Sequence, residues 1–150
     1  MSKKKIKIAI VGATGYVGLD LIKFLSKHPM VKIKYLCAQK KIGKNIQLFN
    51  KKLPKKLPLI SNLKLVNWDS VDVLFCALPN GEAQLLSKKL VNKNLHIIDL
   101  SADFRLTNTS EYKKFYGINH KAKKLINQSI YSVSEFTKKK INQYKIIACA

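Results

Sequence analysis

Five apolar runs of strand length, separated by stretches of helical spacing, restrict this chain more than any other feature. They are IKIAIVG at 6–12, VKIKYLCA at 31–38, VDVLFCALP at 71–79, LHIIDLS at 95–101 and YKIIACA at 144–150. Their apolar character is nearly continuous rather than alternating, the pattern of strands covered on both faces. Between the first two, Tyr16, Val17, Leu19, Leu21, Ile22, Phe24 and Leu25 form an apolar helical stripe, which KHP at 27–29 ends at a proline. After PNG at 79–81, Ala83, Leu85, Leu86, Leu90 and Val91 repeat that spacing. The alternation predicts an α/β fold with a doubly wound, mostly parallel sheet, and 150 residues suit one domain spanning 1–150. Two segments break the rhythm. Residues 39–62, with Pro54, Pro58 and many lysines, read as a long exposed connection, and 101–130 is polar and aromatic with little period.

The first strand runs into GATGYVG, placing Gly12, Gly15 and Gly18 three apart where a strand gives way to a helix. In that context the first glycine permits a tight turn, the second lets the backbone approach a pyrophosphate, and the third lets helix pack on strand. The N–H groups around Thr14, Tyr16 and Val17 then face the phosphates from the positive end of the helix. This is the signature of a Rossmann-type dinucleotide-binding domain. At the end of the second strand a carboxylate would accept ribose hydroxyls and mark NAD. The chain has instead CAQKKIGK, with Gln39, Lys40, Lys41 and Lys44, and a cation cluster without an acid favours the 2′-phosphate of NADP(H).

Charge and cysteine content bound the partners. The chain carries 29 basic and 8 acidic residues, a net charge of +21, and 28 of the 29 bases are lysine. Nucleic-acid readers favour the planar fork of arginine over the hydrated point charge of lysine. With 16 isoleucines and 11 asparagines, the composition fits a drift towards AT-rich codons and a solvated lysine surface, and no nucleic-acid partner is expected. The start, MSKKKIKIAIVG, passes from a charged tip straight into an apolar strand, and no run approaches the ~18 apolar residues of a membrane span. A cytoplasmic protein without a membrane partner is expected. Cys37, Cys76 and Cys149 stand far apart with no CxxC pair, so neither a metal site nor a disulfide framework is suggested. Of the histidines, His28 before Pro29 reads as a surface or capping group, His96 shows nothing special, and His120 suits a structural or a substrate-loop role equally.

Taken together, GATGYVG, ALPNG, DLSADFRL and YKKFYGINH resemble the amino-terminal half of the N-acetyl-gamma-glutamyl-phosphate reductases over essentially the whole chain. DLSADFRL is the most specific of these motifs, since the glycine turn is shared with aspartate-semialdehyde dehydrogenases. The resemblance implies an NADPH-dependent reduction of a small-molecule acyl phosphate in arginine biosynthesis, by an enzyme that is a homo-oligomer at full length. It makes ALPNG, with Pro79 and Asn80, a cofactor loop, although the family usually has histidine in place of Asn80. It makes Ser101, Arg105 and Glu135 substrate-binding residues, while Ser132, Val133 and Ser134 depart from the family's Tyr-Gly-Leu-Pro-Glu. In the family, the strand matching YKIIACA leads at once to a Gly-Cys-Tyr-Pro-Thr segment bearing the nucleophile, and then to a carboxy-terminal substrate and dimerisation domain. By that alignment Cys149 is not the nucleophile, no residue of 1–150 is itself catalytic, and this chain alone is expected not to turn over. Related readings are a lysine-pathway reductase acting on aminoadipyl phosphate held by an acidic carrier protein, an aspartate-semialdehyde dehydrogenase, and a non-catalytic dinucleotide-binding module.

Arg105 is the one arginine of the chain. Where lysine has taken every other basic position, a retained guanidinium points to planar, bidentate recognition of a carboxylate or phosphate. Asp103, Glu135 and an oxygen of the substrate are its candidate partners.

Overall fold

The structure is a computed structural model that describes residues 4–150, and Met1, Ser2 and Lys3 of the charged tip lie outside the described residues. The chain divides between Ala77 and Leu78 into two compact units.

The first unit holds β1 (Ile6–Val11), α1 (Tyr16–Leu25), β2 (Val31–Cys37), β3 (Ile60–Ser61) and β4 (Val73–Cys76). β1 pairs in parallel with β2 on one side and β4 on the other, and β2 carries β3 beyond it. Ile8, Ala9, Ile10 and Val11 of β1 are all buried, as a central parallel strand requires. α1 packs Ile22 into the core, with Leu19, Leu21 and Leu25 against it. The predicted stripe on this helix is too wide. Tyr16 is 92% exposed and Phe24 68% exposed, because a helix lying on a sheet covers only about a third of its circumference.

Residues 39–62 are not simply an exposed connection. Ile46, Leu53 and Ile60 are buried in the same core as Ile8 and Leu36. The lysines and prolines between them hide these three anchors from a reading based on composition. The segment is also tied down by hydrogen bonds: Asn45 Oδ1 accepts from Gln47 N at 2.9 Å, Gln47 Nε2 donates to Leu53 O at 2.8 Å, and Gly43 N donates to Ile60 O at 2.7 Å.

The second unit holds α2 (Glu82–Leu90), β5 (His96–Asp99), α3 (Thr109–Tyr116), β6 (Ser129–Ser132), α4 (Ser134–Thr137) and β7 (Ile146–Cys149). β7 pairs in parallel with both β5 and β6. Ile146, Ile147 and Ala148 are buried, so the last apolar run is a core strand, as its composition predicts. The polar stretch 101–130 contains α3, whose ends follow capping rules rather than apolar period. Asn108 Oδ1 accepts from Ser110 N at 2.8 Å and Glu111 N at 3.2 Å, and Gly117, at φ 72°, closes the other end in the left-handed region. All strand pairs described are parallel, an α/β fold of the predicted class. Among the described residues no helix is long and apolar enough to cross a membrane.

If residues 46–60 are core rather than connection, Leu53→Ala should cost about 2–4 kcal/mol of unfolding free energy. Leu48→Ala, in the same segment but 65% exposed, should change it by less than about 0.5 kcal/mol. Urea denaturation followed by circular dichroism would separate the two, and equal small effects would return the segment to the status of a surface loop.

Candidate functional site

In the first unit, the glycine turn stands at the carboxyl end of β1 and is fastened to the end of β2. Gly12 N and Ala13 N both donate to Cys37 O at 3.0 Å, and Gly15 N donates to Gly12 O at 3.1 Å. Gly12, at φ 83°, would put a Cβ 2.0 Å from Ala77 O, and a Cβ on Gly18 would lie 2.2 Å from Gly12 O. Both glycines are thus demanded by the protein's own packing. Gly15 is different. Its φ of −78° suits any residue, and a Cβ there would meet only Gly12 O, at 3.5 Å. It is also exposed and caps α1 without a side chain, leaving the N–H groups of Tyr16, Val17 and Gly18 without partners within the helix. Nothing inside the protein requires glycine at 15, whereas close approach of an anion to those N–H groups would.

Past β2, Gln39, Lys40, Lys41 and Lys44 are all exposed. Lys41 adopts φ 61°, uncommon for a residue with a Cβ, and Lys44 N donates to Lys41 O at 3.1 Å to close the turn. Ile60 N then donates to Lys44 O at 2.9 Å, anchoring this turn to β3. The lysines therefore sit on a fixed turn. Burial pushes the Cys37 thiol up to about 12, so it stays protonated and serves as core.

In the second unit, two loops clasp each other. The side chain of Asn80 accepts from Ala102 N at 3.1 Å, and the carboxylate of Asp103 accepts in return from Gly81 N at 2.7 and 2.9 Å. Asp103 also takes Gln84 N at 3.1 Å and Gln84 Nε2 at 3.0 Å, at the amino end of α2, where a negative charge meets unpaired N–H groups and the positive end of the helix dipole. Tyr112 of α3 donates its hydroxyl to Asp103, and this bond, with burial as the larger cause, raises the tyrosine pKa. Pro79 and Asn80 are exposed at the tip of the clasp, with the Asn80 amide oxygen already used inside it.

His120 belongs to the same clasp. It is buried, lies edge-on to Phe104 and Tyr112, places Nε2 2.7 Å from Asp103 O and receives Ala122 N on Nδ1 at 3.2 Å. These contacts specify a neutral ring with its proton on Nε2, and burial lowers its pKa accordingly. The structural role is the one the structure supports. His28, exposed, accepts Met30 N at 3.2 Å as a local cap.

Arg105 has neither of the protein partners its sequence context suggested. Asp103 is spent on α2 and Tyr112, and Glu135 is exposed on the short helix α4. The guanidinium instead donates from Nη2 to Leu100 O at 3.4 Å, and its Nε is buried without a partner. The carboxylate its charge acts on is Asp99, at the end of β5, which the sequence reading passed over. Asp99 is fully buried. Its Oδ1 accepts from Ser101 N at 2.9 Å and its Oδ2 has no partner. Burial raises its pKa to about 6 against the opposing hydrogen bonds from Ser101 and the charge of Arg105. Ser101 is likewise buried, its hydroxyl accepting from Asp103 N at 3.1 Å, so it shapes the loop. Cys149, at the end of β7, is half-buried, and burial followed by the Asp99 charge raises its pKa, keeping it a thiol. Among the described residues no group of three or more His, Cys, Asp or Glu could hold a metal ion.

The family described as "Semialdehyde dehydrogenase, NAD binding domain" matches residues 7–144. Similar proteins include the N-acetyl-gamma-glutamyl-phosphate reductase of Ehrlichia ruminantium (strain Gardel), 40% identical over 97% of this chain and 42% of the relative. That of Paracoccus denitrificans is 36% identical over 95% of the chain and 42% of the relative. The chain thus spans about two fifths of the length of these relatives. Among solved structures, aspartate semialdehyde dehydrogenase II of Vibrio cholerae superposes with a TM-score of 0.70 at 19% identity, over 98% of this chain and 38% of the other, which shows a shared fold.

Two measurements follow from this geometry. Gly15→Ala should leave thermal stability within a few degrees of the parent yet weaken dinucleotide binding at least tenfold, whereas Gly12→Ala should cost several kcal/mol, about 3 or more, because of strain and clash. A Gly15→Ala protein that binds dinucleotide normally would remove the ligand-approach argument. Asp99, with its folded pKa raised to about 6, loses stability as pH rises from its unfolded pKa through that value. Asp99→Asn should therefore be close to the parent near pH 4 and more stable by roughly 1–3 kcal/mol above pH 6.5, read from denaturant unfolding at both pH values.

Proposed function

The chain belongs to the semialdehyde dehydrogenase NAD-binding domain family, and from that premise we propose that residues 1–150 are the nucleotide-binding half of an N-acetyl-gamma-glutamyl-phosphate reductase. In this reading the complete enzyme reduces N-acetylglutamyl 5-phosphate to N-acetylglutamate 5-semialdehyde and phosphate, in the cytoplasm, as a homo-oligomer. The observation that carries it is the openness at Gly15. A turn that keeps glycine where its own packing would accept a side chain is a turn shaped for something outside the protein, and the first-turn helix N–H groups, with Tyr16 and Val17 exposed, make that something an anion.

The cofactor is NADP(H), which supplies the hydride when bound. Gly12, Thr14, Gly15, Tyr16, Val17 and Gly18 would hold its pyrophosphate through backbone N–H groups. Gln39, Lys40 and Lys41 would receive the ribose 2′-phosphate, and Pro79 and Asn80 would line its path at the tip of the clasp. Arg105 would take an oxygen of the acyl phosphate or of the substrate carboxylate, and Ser101 holds the loop from which it reaches. Glu135, exposed on α4, would border the substrate loop. Cys149 is not the acyl-accepting thiol in this assignment: it is half-buried beside a carboxylate, and both conditions oppose the thiolate that attack on an acyl phosphate needs. The accepting thiol comes from the remaining three fifths of the reductase.

Fluorescence titration with NADPH and NADH tests the assignment. NADPH should bind at least tenfold more tightly at low ionic strength, with the preference shrinking as salt screens the exposed lysines. Charge reversal at Lys40 and Lys41 together should remove the preference while leaving NADH affinity unchanged. Equal affinities in the parent chain at low salt would overturn the NADP assignment.

A further inference from the structure

Two buried polar atoms, one at the end of β5 and one in the loop after it, lack hydrogen-bond partners, and they are chemically complementary. Asp99 Oδ2 is an acceptor and Arg105 Nε a donor. Buried groups of this kind are rare, because each left unpaired has given up its hydration with nothing in return. The loop between them is folded back on itself. Arg105 N donates to Ala102 O at 3.3 Å, and Arg105 Nη2 reaches Leu100 O only at 3.4 Å, a long contact for a charged donor. Asp99 Oδ1 is already engaged by Ser101 N, so Oδ2 is the atom left to receive something. The ionisable groups facing Asp99 are Asp103 and Arg105 from its own loop, Cys149 from β7 and Tyr112 from α3. Of these only Arg105 brings a positive charge. Asp99 pairs with Ala148 of β7, and the carboxyl ends of parallel strands are where α/β sheets receive ligands.

We propose that Asp99 is the positioning residue for Arg105: with an anion at the ends of β5 and β7, Nε–H closes onto Asp99 Oδ2 and the Nη edge of the guanidinium turns to the anion. This rests on the reading of Arg105 as the anion anchor and adds the group that aims it. It also accounts for a lone arginine among 28 lysines. A guanidinium can hold a carboxylate with one edge and an oxyanion with the other, in one plane, whereas an ammonium cannot divide its charge between two fixed directions.

Because Arg105 is the only arginine, the chain labelled with [15N]arginine has a single Nε resonance. Sulfate is a suitable probe, being a tetrahedral dianion whose charge does not change across the pH range used. At about pH 7.5, adding sulfate to the parent chain should move the Nε–H proton downfield and slow its exchange with water. In Asp99→Asn that response should vanish and sulfate affinity should fall by about tenfold, the size of one charge-assisted hydrogen bond. Lowering the pH of the parent chain to about 5, where Asp99 is protonated, should reproduce the effect without any substitution. An Nε response of equal size in the parent, in Asp99→Asn and at pH 5 would overturn the Asp99 role while leaving Arg105 as the anchor. An Nε resonance indifferent to sulfate in the parent would overturn both. Sulfate held only by surface lysines leaves the Nε signal where it is, and therefore counts among the overturning results rather than the supporting one.

Discussion

One buried carboxylate organises the second unit. Asp103 sits at the amino end of α2 and takes two N–H groups of that helix, a glutamine amide and a tyrosine hydroxyl. A buried charge with no partner would be untenable, and a helix end with no anion or side-chain cap would leave donors unpaired. Placed together, each removes the other's cost. The consequence reaches well beyond the bond. The Asp103 carboxylate draws the ALPNG turn against the SADF turn, the Asp103 carbonyl fixes His120, and Tyr112 binds α3 to the same point. The loop carrying Ser101 and Arg105 is therefore held by the backbone that presents Asp103, and its side chains inherit that rigidity.

The first unit solves a different problem with backbone alone. Its turn must be tight, must lie close to the helix it starts, and must leave room above. Gly12 and Gly18 meet the first two demands, since any Cβ there would strike Ala77 or Gly12 itself. Gly15 meets the third, which packing never asks for. The three glycines of one motif thus divide into two that the packing requires and one that it does not. This division separates a dinucleotide turn from a merely tight one more sharply than the spacing of the glycines can.

The five main strands, the glycine turn and the singular arginine of DLSADFRL were legible in the residues, because buried parallel strands are written as continuous apolar runs and Gly-x-x-Gly-x-x-Gly has few other uses after a strand; the short strands β3 and β6 were not. Three other things were not legible. Ile46, Leu53 and Ile60 are isolated apolar residues in a lysine-rich stretch, and only the chain path shows that all three turn inward. α3 has a mostly polar sequence, so its evidence lay in Asn108 three residues before Glu111 and in Gly117, not in periodicity. Tyr16 and Phe24 read as core by spacing, yet lie outside the strip of α1 that meets the sheet.

The partner of Arg105 marks the boundary between the two kinds of information. Sequence alone determined the fold class, the dinucleotide turn and the singular guanidinium, since each depends on residue type and local spacing. It offered Asp103 and Glu135 as partners on the strength of sign and proximity along the chain. Only the tertiary structure decided among the acids, because hydrogen-bonding capacity is spent in three dimensions: Asp103 is consumed by α2, Glu135 is left in solvent, and Asp99, buried at the end of β5, keeps one oxygen unclaimed beside the arginine's charge.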